Sequence, residues 1–412
     1  MKLQLFSYLN IDIAKKEKRL LQLVIACTIC FMWAQYSLYW VTHLDVYMMV
    51  VTVGLLWLNR NIMYEKASSV GNGLIVAAII IYVIIPLFHL EKPSVGVTCE
   101  IILLSCLLRL KSEYKAWLFD RFITVLAFLF GLCVIEYIFA CFLHIGFINT
   151  TPIYRFEGNE HYFYQGVLNL FPYYYTYGIA RFQAFTEEPG LVGTLCAFII
   201  ACMNPQKQKW QFFVFVISGI LSLSLAFYLL FGLWLISNSL SLKNSKNMLL
   251  VLFALMPAFV YFGDSIEEVV VKRVTESQSI SAVDNRANET FSKAFNEFII
   301  SENVIFGRGL RYFHKTFDHV AGERGGNAGA KPFIYSYGMF SMALLFIVFS
   351  FTFLKINGYN RRSYFILLLF WLSFYQRDVW STPYNMLVLM MYSYYDKLQP
   401  IKTHVASAPI IT

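Results

Sequence analysis

The sequence predicts an all-α integral membrane protein: one polytopic domain over residues 1–412, with about twelve transmembrane helices and two large structured loops on one side. Composition comes first. Apolar residues make up 58% and charged residues 14% of the chain, against roughly half and about a quarter in a typical soluble domain. Second, the apolar excess is gathered into long runs such as VIACTICFMW, NGLIVAAIIIYVIIPLF and MALLFIVFSFTFL, more than one soluble core can bury. Third, Lys and Arg recur between these runs in alternate loops, as cytoplasmic loops do. Weak alternation and few Gly-Asn turn pairs speak against a β-barrel.

A window of about 19 residues gives spanning segments at about 20–40, 43–58, 70–90, 95–109, 122–147, 190–203, 210–223, 225–240, 247–262, 334–354, 363–376 and 383–396. Lys15, Lys16, Lys18 and Arg19 put the N-terminus in the cytoplasm, and the KKEKR leader reads as the start of a retained helix rather than a cleaved signal. Arg60 and Lys66, then Arg109, Lys111, Lys115 and Arg121, then Lys207 and Lys209 mark successive inside loops. Lys243 and Lys246, then Lys355, Arg361 and Arg362, and finally Lys397 and Lys402 continue the series. All fall on one side if the chain crosses twelve times. Residues 210–240 are open to two readings, one long tilted helix or two joined at SLSLAF; cations at both ends favour two.

The outside loops span about 148–189 and 263–333. Both are aromatic and amphipathic, and long structured loops usually carry function. In the second, Asp284 or Asn285 is placed to cap a helix with Ala287, Phe291, Ala294 and Phe298 on one face and Arg286, Thr290, Lys293 and Glu297 on another. The net charge of +8 is spread through the loops without forming a basic stripe, so nucleic acid is not an expected partner. Cys27 and Cys30 within one helix read as packing residues, not as a metal or redox pair.

Two motifs carry the chemistry. The first loop ends in IARFQAFTEEPGLVG, where Pro189 suits a first helical turn and Glu188 its N-cap. The second holds Arg286 at a helix start and then ENVIFGRGL, with Arg308 between two glycines. Here the chain resembles the bacterial O-antigen polymerases (Wzy), within the wider O-antigen polymerase and ligase superfamily. Arg181, Glu188 and Pro189 match the family's Arg and Glu-Pro pattern before a mid-chain helix. Arg286, Phe306, Gly307 and Gly309 match its Arg-opened periplasmic helix ending in a Phe-Gly-x-Gly turn. Many relatives, the ligases especially, place a His just before the helix after this loop; GNAGAKPFIYSYG has none, while His314 and His319 lie earlier, which favours polymerase over ligase.

The resemblance implies a GT-C-like glycosyltransferase in the bacterial inner membrane, with its site facing the periplasm. It implies transfer of a growing glycan from undecaprenyl pyrophosphate to a new undecaprenyl-pyrophosphate-linked repeat unit, without a cofactor. Partners are those lipid-linked oligosaccharides, membrane lipids and, left open, a chain-length regulator. The sister ligase activity and a flippase stand as alternatives; few central charges and no visible repeat weigh against the flippase. A leaving pyrophosphate needs fixed cations, and Arg offers a permanently charged bidentate fork. Arg181, Arg286 and Arg308 are the expected ligands, and the absence of any Asp-x-Asp pair fits a lipid-phosphate donor handled without a metal. Tyr154, Tyr162, Tyr164, Tyr173, Tyr174 and Tyr175 are placed to stack sugar faces or to form an interfacial belt. Glu188 is the expected general base; Glu187, Glu136, His314 and His319 are its rivals.

Each of these residues also has a plainer reading. Arg181 can snorkel to headgroups, Arg308 can be a turn residue and Arg286 can pair with a nearby Glu. Glu136, within LCVIEYIFA, reads as a mid-helix carboxylate that must face the bundle interior and find a partner or a proton. His144, near the end of the same helix, reads as a packed or interfacial residue.

Overall fold

The computed structural model describes residues 13–33, 44–65, 71–93, 95–142, 149–153, 163–172, 181–186, 188–239, 289–321, 329–376 and 382–397. Among these the chain is predominantly helical. In chain order the helices are α1 (Lys15–Met32), α2 (Leu44–Leu58), α3 (Asn72–Phe88), α4 (Val95–Leu108) and α5 (Ser112–Phe142). After a small sheet come α6 (Pro189–Cys202), α7 (Lys209–Leu221), α8 (Leu225–Ser239), α9 (Glu289–Ile299), α10 (Leu310–Ala321), α11 (Ala330–Asn357), α12 (Arg361–Gln376) and α13 (Pro383–Lys397). Every predicted segment except 247–262, which lies outside the described residues, meets a helix.

Among the described residues two helices, α5 over Ser112–Cys141 and α11 over Ala330–Asn357, are long and apolar enough to cross a membrane. Less than half of each apolar window is buried, 44% and 39%. Phe128, Ile135, Phe346, Ile347 and Phe351 are exposed along them, the surface such a helix presents to lipid. At 31 residues, α5 is about 46 Å long and exceeds a hydrocarbon core of about 30 Å. Lys115 and Arg121, expected in a loop, are inside this helix. Lys115 is only 1% exposed, with its ammonium over the Tyr394 ring at 4.6 Å and 3.4 Å from that phenol oxygen.

The core is aromatic. Phe130 of α5 takes edge contacts from Phe182, Phe185 and Phe215, and Phe349 and Phe370 stack at 4.2 Å between α11 and α12. Residues 209–239 form two helices that fold back on each other. The Phe212 and Trp234 rings lie 5.8 Å apart, whereas a continuous helix would separate them by about 33 Å. The break falls at Ser222–Ser224, where Leu223 has φ +46.

Three short strands were not foreseen: β1 (Asn149–Ile153), β2 (Phe163–Gln165) and β3 (Leu170–Pro172). They pair antiparallel in the order β1-β2-β3, Tyr164 opposite Phe171 and Asn149 opposite Gln165, with an irregularity between Asn149 and Ile153.

Contacts give the bundle two distinct ends. At one, the Arg362 guanidinium donates to the carbonyls of Ala201, Cys202 and Met203 and pairs with Asp396 at 2.6 Å. It thereby satisfies the last turn of α6, whose carbonyls have no partner within the helix. Asn357, the last residue of α11, donates to Leu389 at this same end. The opposite end therefore holds the start of α6 at Glu188 and the first turns of α11.

Candidate functional site

At the Glu188 end, Arg181 lies in the last part of the first loop and is half-buried. Its Nε donates to the Ser222 carbonyl at 3.2 Å and an Nη to the Leu223 carbonyl at 3.1 Å. Phe182 N–H donates to the Leu221 carbonyl at 3.0 Å. The guanidinium thus holds the α7–α8 turn through the Ser222 and Leu223 carbonyls. Gly193 of α6 is required by the same turn, since a Cβ there would run into Ser224.

Glu188 has the extended backbone of an N-cap, φ −144 and ψ 140, ahead of Pro189 at the first helical position. Its side chain makes no capping hydrogen bond and is exposed. Thr186, fully buried, donates its hydroxyl to the Gln183 carbonyl at 2.8 Å and fixes the approach to the helix.

Glu136 lies six residues before Phe142, the last described residue of α5. Its carboxylate accepts the N–H groups of Val167, Leu168 and Asn169 and the Asn169 side-chain amide, the last three at 2.9, 3.0 and 3.0 Å. Those donors form the β2–β3 turn, and Gly166 fits there because a Cβ would meet the carboxylate. Of the two readings of Glu136, the structure has the structural partner.

The second loop supplies α9, amphipathic as predicted. Phe291 and Phe298 are fully buried and Ala294 packs beside them, while Thr290, Lys293 and Glu297 face out. With Phe313 and Phe317 of α10 they surround Tyr335 of α11. The Gly307–Arg308–Gly309 turn is locked to α11: Arg308 N–H donates to the Tyr335 carbonyl at 2.9 Å and Gly309 N–H to the Ser336 carbonyl at 3.0 Å. Phe340 N–H donates back to the Ile305 carbonyl at 3.0 Å. Gly307, Gly309 and Gly338 have φ of +81, +93 and +82, which favours glycine, and Gly338 breaks α11. Each backbone meets the other at a glycine.

The Arg308 guanidinium stands over the rings of Phe298, Tyr312 and Tyr335 at 5.9, 5.9 and 5.6 Å and donates to the Tyr335 phenol oxygen at 3.2 Å. Among the described residues no carboxylate lies within ion-pair distance of it. It is a cation held by aromatic faces, unlike Arg362 with its paired Asp396.

Sequence reasoning missed the supports. Glu91, in the corner after α3, accepts the N–H groups of Arg311 and Tyr312 at 2.9 and 3.4 Å and so caps α10. His89 Nε2 lies 3.1 Å from the Phe306 carbonyl. A carboxylate following HL and preceding Lys92-Pro93 gives no sequence signal of a cap more than two hundred residues away in the chain.

The structure brings Arg181, Glu188 and Arg308 to one end of the bundle, on separate supports. Arg286, Tyr154, Tyr162, Tyr173, Tyr174, Tyr175, Glu187, His144, Asp284, Asn285 and Ala287 lie outside the described residues. His314 is exposed on α10, its ring 5.6 Å from Phe313. A comparison with known protein families finds no match, and a search of curated proteins finds none either.

Proposed function

We propose that this chain is a glycan polymerase of the O-antigen polymerase type, crossing the bacterial inner membrane about twelve times in a GT-C-like arrangement with both ends cytoplasmic. It moves a glycan from a polyprenyl pyrophosphate to a sugar hydroxyl of a second lipid-linked repeat unit at the periplasmic face. The bond from the anomeric carbon to the pyrophosphate oxygen breaks and a glycosidic bond forms. The lipid pyrophosphate leaves with the electron pair, and the acceptor hydroxyl gives up its proton.

The single observation that carries this reading is Arg308, a cation with no carboxylate partner among the described residues, at the end of the bundle where exposed Glu188 opens α6. A guanidinium of this kind suits an oxyanion that gains charge in the transition state. Arg181 and Arg286 are assigned to the same pyrophosphate, Tyr173 and Tyr174 to the sugar faces, and Glu188 to the acceptor proton. Glu136 is less suited to be the base, since its oxygens already accept the β2–β3 turn amides.

Deleting the gene and separating surface lipopolysaccharide on a gel tests the reading. Loss of a polymerase leaves one repeat unit on core. Bare core with undisturbed polymer on the carrier lipid would instead identify a ligase, and loss of surface display a flippase.

A further inference from the structure

The turn that carries Arg308 is edged by exposed apolar side chains of a kind that water does not favour. Ile305 and Phe306 are 53% and 50% exposed, and Phe88 and Leu90 in the corner after α3 are 74% and 93% exposed. They are contiguous, because His89 Nε2 lies against the Phe306 carbonyl and the Phe306 ring sits 5.8 Å from that of Phe340. Phe340 and Met339 are themselves exposed and begin the apolar outer surface of α11 that runs on through Phe346, Ile347 and Phe351.

Depth follows from the helix. With roughly 1.5 Å of rise per residue, Phe340 lies about 22 Å from Lys355, the cation that marks the far end of α11. A hydrocarbon core of about 30 Å therefore extends past Phe340, and the Phe306 ring lies at that level. Irregular backbone at such a depth is tolerated only where its polar groups are satisfied by protein. That condition is met: Arg308, Gly309 and Phe340 N–H groups pair with the Tyr335, Ser336 and Ile305 carbonyls. Exposed Lys92, Arg311 and Lys315 rim the apolar surface, the charge pattern that meets lipid phosphates at a membrane boundary.

We propose that the Ile305–Gly309 turn is re-entrant: it is seated in the lipid leaflet at the Glu188 end, with Ile305, Phe306, Phe88 and Leu90 against acyl chains and Arg308 near the level of lipid phosphates. A lipid-borne phosphate then reaches Arg308 sideways from the leaflet, without leaving the membrane. The inference rests on α11 spanning the bilayer and does not require the polymerase activity.

The test uses full-length protein in vesicles of phosphatidylethanolamine and phosphatidylglycerol, with photoreactive p-benzoyl-phenylalanine placed singly at Phe306, Phe88 or Phe351. After illumination, intact mass reports lipid adducts and fragmentation locates them on the acyl chain or the headgroup. Acyl-chain adducts at all three positions are expected. An acyl adduct at Phe351 with none at Phe306 and Phe88, or with headgroup adducts only, overturns the re-entrant turn while leaving α11 in the membrane. No adduct at Phe351 removes the span itself, and the inference with it.

Discussion

Arg308 and Arg181 hold their charges in different ways, and the difference sets what each substitution should do. Arg308 leans on three aromatic rings, with no carboxylate paired to it among the described residues. Arg308→Ala should therefore lower the rate of lipid pyrophosphate release several hundredfold, the effect of losing about 3–4 kcal/mol of transition-state stabilisation. Arg308→Lys should recover little of it, because an ammonium lacks the planar fork. Arg181 also donates to two carbonyls of the α7–α8 turn. Arg181→Ala should combine a comparable rate loss with a fall in thermal stability of about 1–3 kcal/mol as those carbonyls lose their donors. Rates and melting curves on purified protein check both; a wild-type rate from Arg308→Ala would remove that residue from the site.

Glu188 offers a cleaner separation. Its side chain is exposed and makes no capping bond, so Glu188→Gln should change stability by no more than about 0.5 kcal/mol. Loss of a general base should lower turnover by about 100- to 10,000-fold. Near wild-type polymerisation by Glu188→Gln alongside a dead His314→Gln variant would move the base to α10. The N-cap position of Glu188 was legible in the sequence because Pro189 fixes the first helical turn. The lack of a side-chain cap was not, since it depends on how Thr186 and Gln183 direct the preceding chain.

The element that most needs its sequence is the broken helix α11. Gly338, at φ +82, lets α11 change direction, and a Cβ there would strike the Ile305 carbonyl. Gly307 faces the Ser336 carbonyl in the same way. Gly338→Ala should therefore lose at least about 1–3 kcal/mol through backbone strain alone, read as a lower melting temperature in detergent, and should displace Arg308. Melting unchanged by Gly338→Ala would mean that the bend is not fixed by this glycine.

The glycines of FGRG were visible as a turn, but their partner was not, because Gly338 sits in an apolar run where a glycine attracts no notice. Element boundaries show a similar divide. Pro189 and the polar stretch at Asn204 to Gln208 mark both ends of α6 to within a residue. The start of α5 was placed too late because Lys115, Asp120 and Arg121 lower the local hydropathy, although Lys115 and Asp120 are buried against Tyr394 and Gln208. Strands of three to five residues, with a turn held by a carboxylate of the preceding helix, leave no periodic signal for a sequence to display.

At the scale of the molecule, the two loops with the candidate residues meet one end of the bundle while Arg362 ties the other. The α7–α8 hairpin returns the chain to the Arg362 end before Lys243, consistent with two crossings by residues 209–239. Reporter fusions at Lys207 and Lys243 should both read cytoplasmic, and one at Gly325 periplasmic; a periplasmic signal at Lys243 would contradict the hairpin as a membrane element. The hairpin itself was legible in the sequence, where cations at both ends of residues 210–240 favour two segments over one. The convergence of Arg181 and Arg308 on one end needed the contacts of Arg362 and Asn357 to establish it.

Chemistry on lipid-linked glycan is the central claim, and purified protein in proteoliposomes with a synthetic polyprenyl-pyrophosphate-linked repeat unit tests it most directly. The expected product is a ladder spaced by one repeat unit, with one polyprenyl pyrophosphate released for each bond formed. Unchanged substrate from folded wild-type protein, or transfer only when lipid A core is supplied, would contradict it.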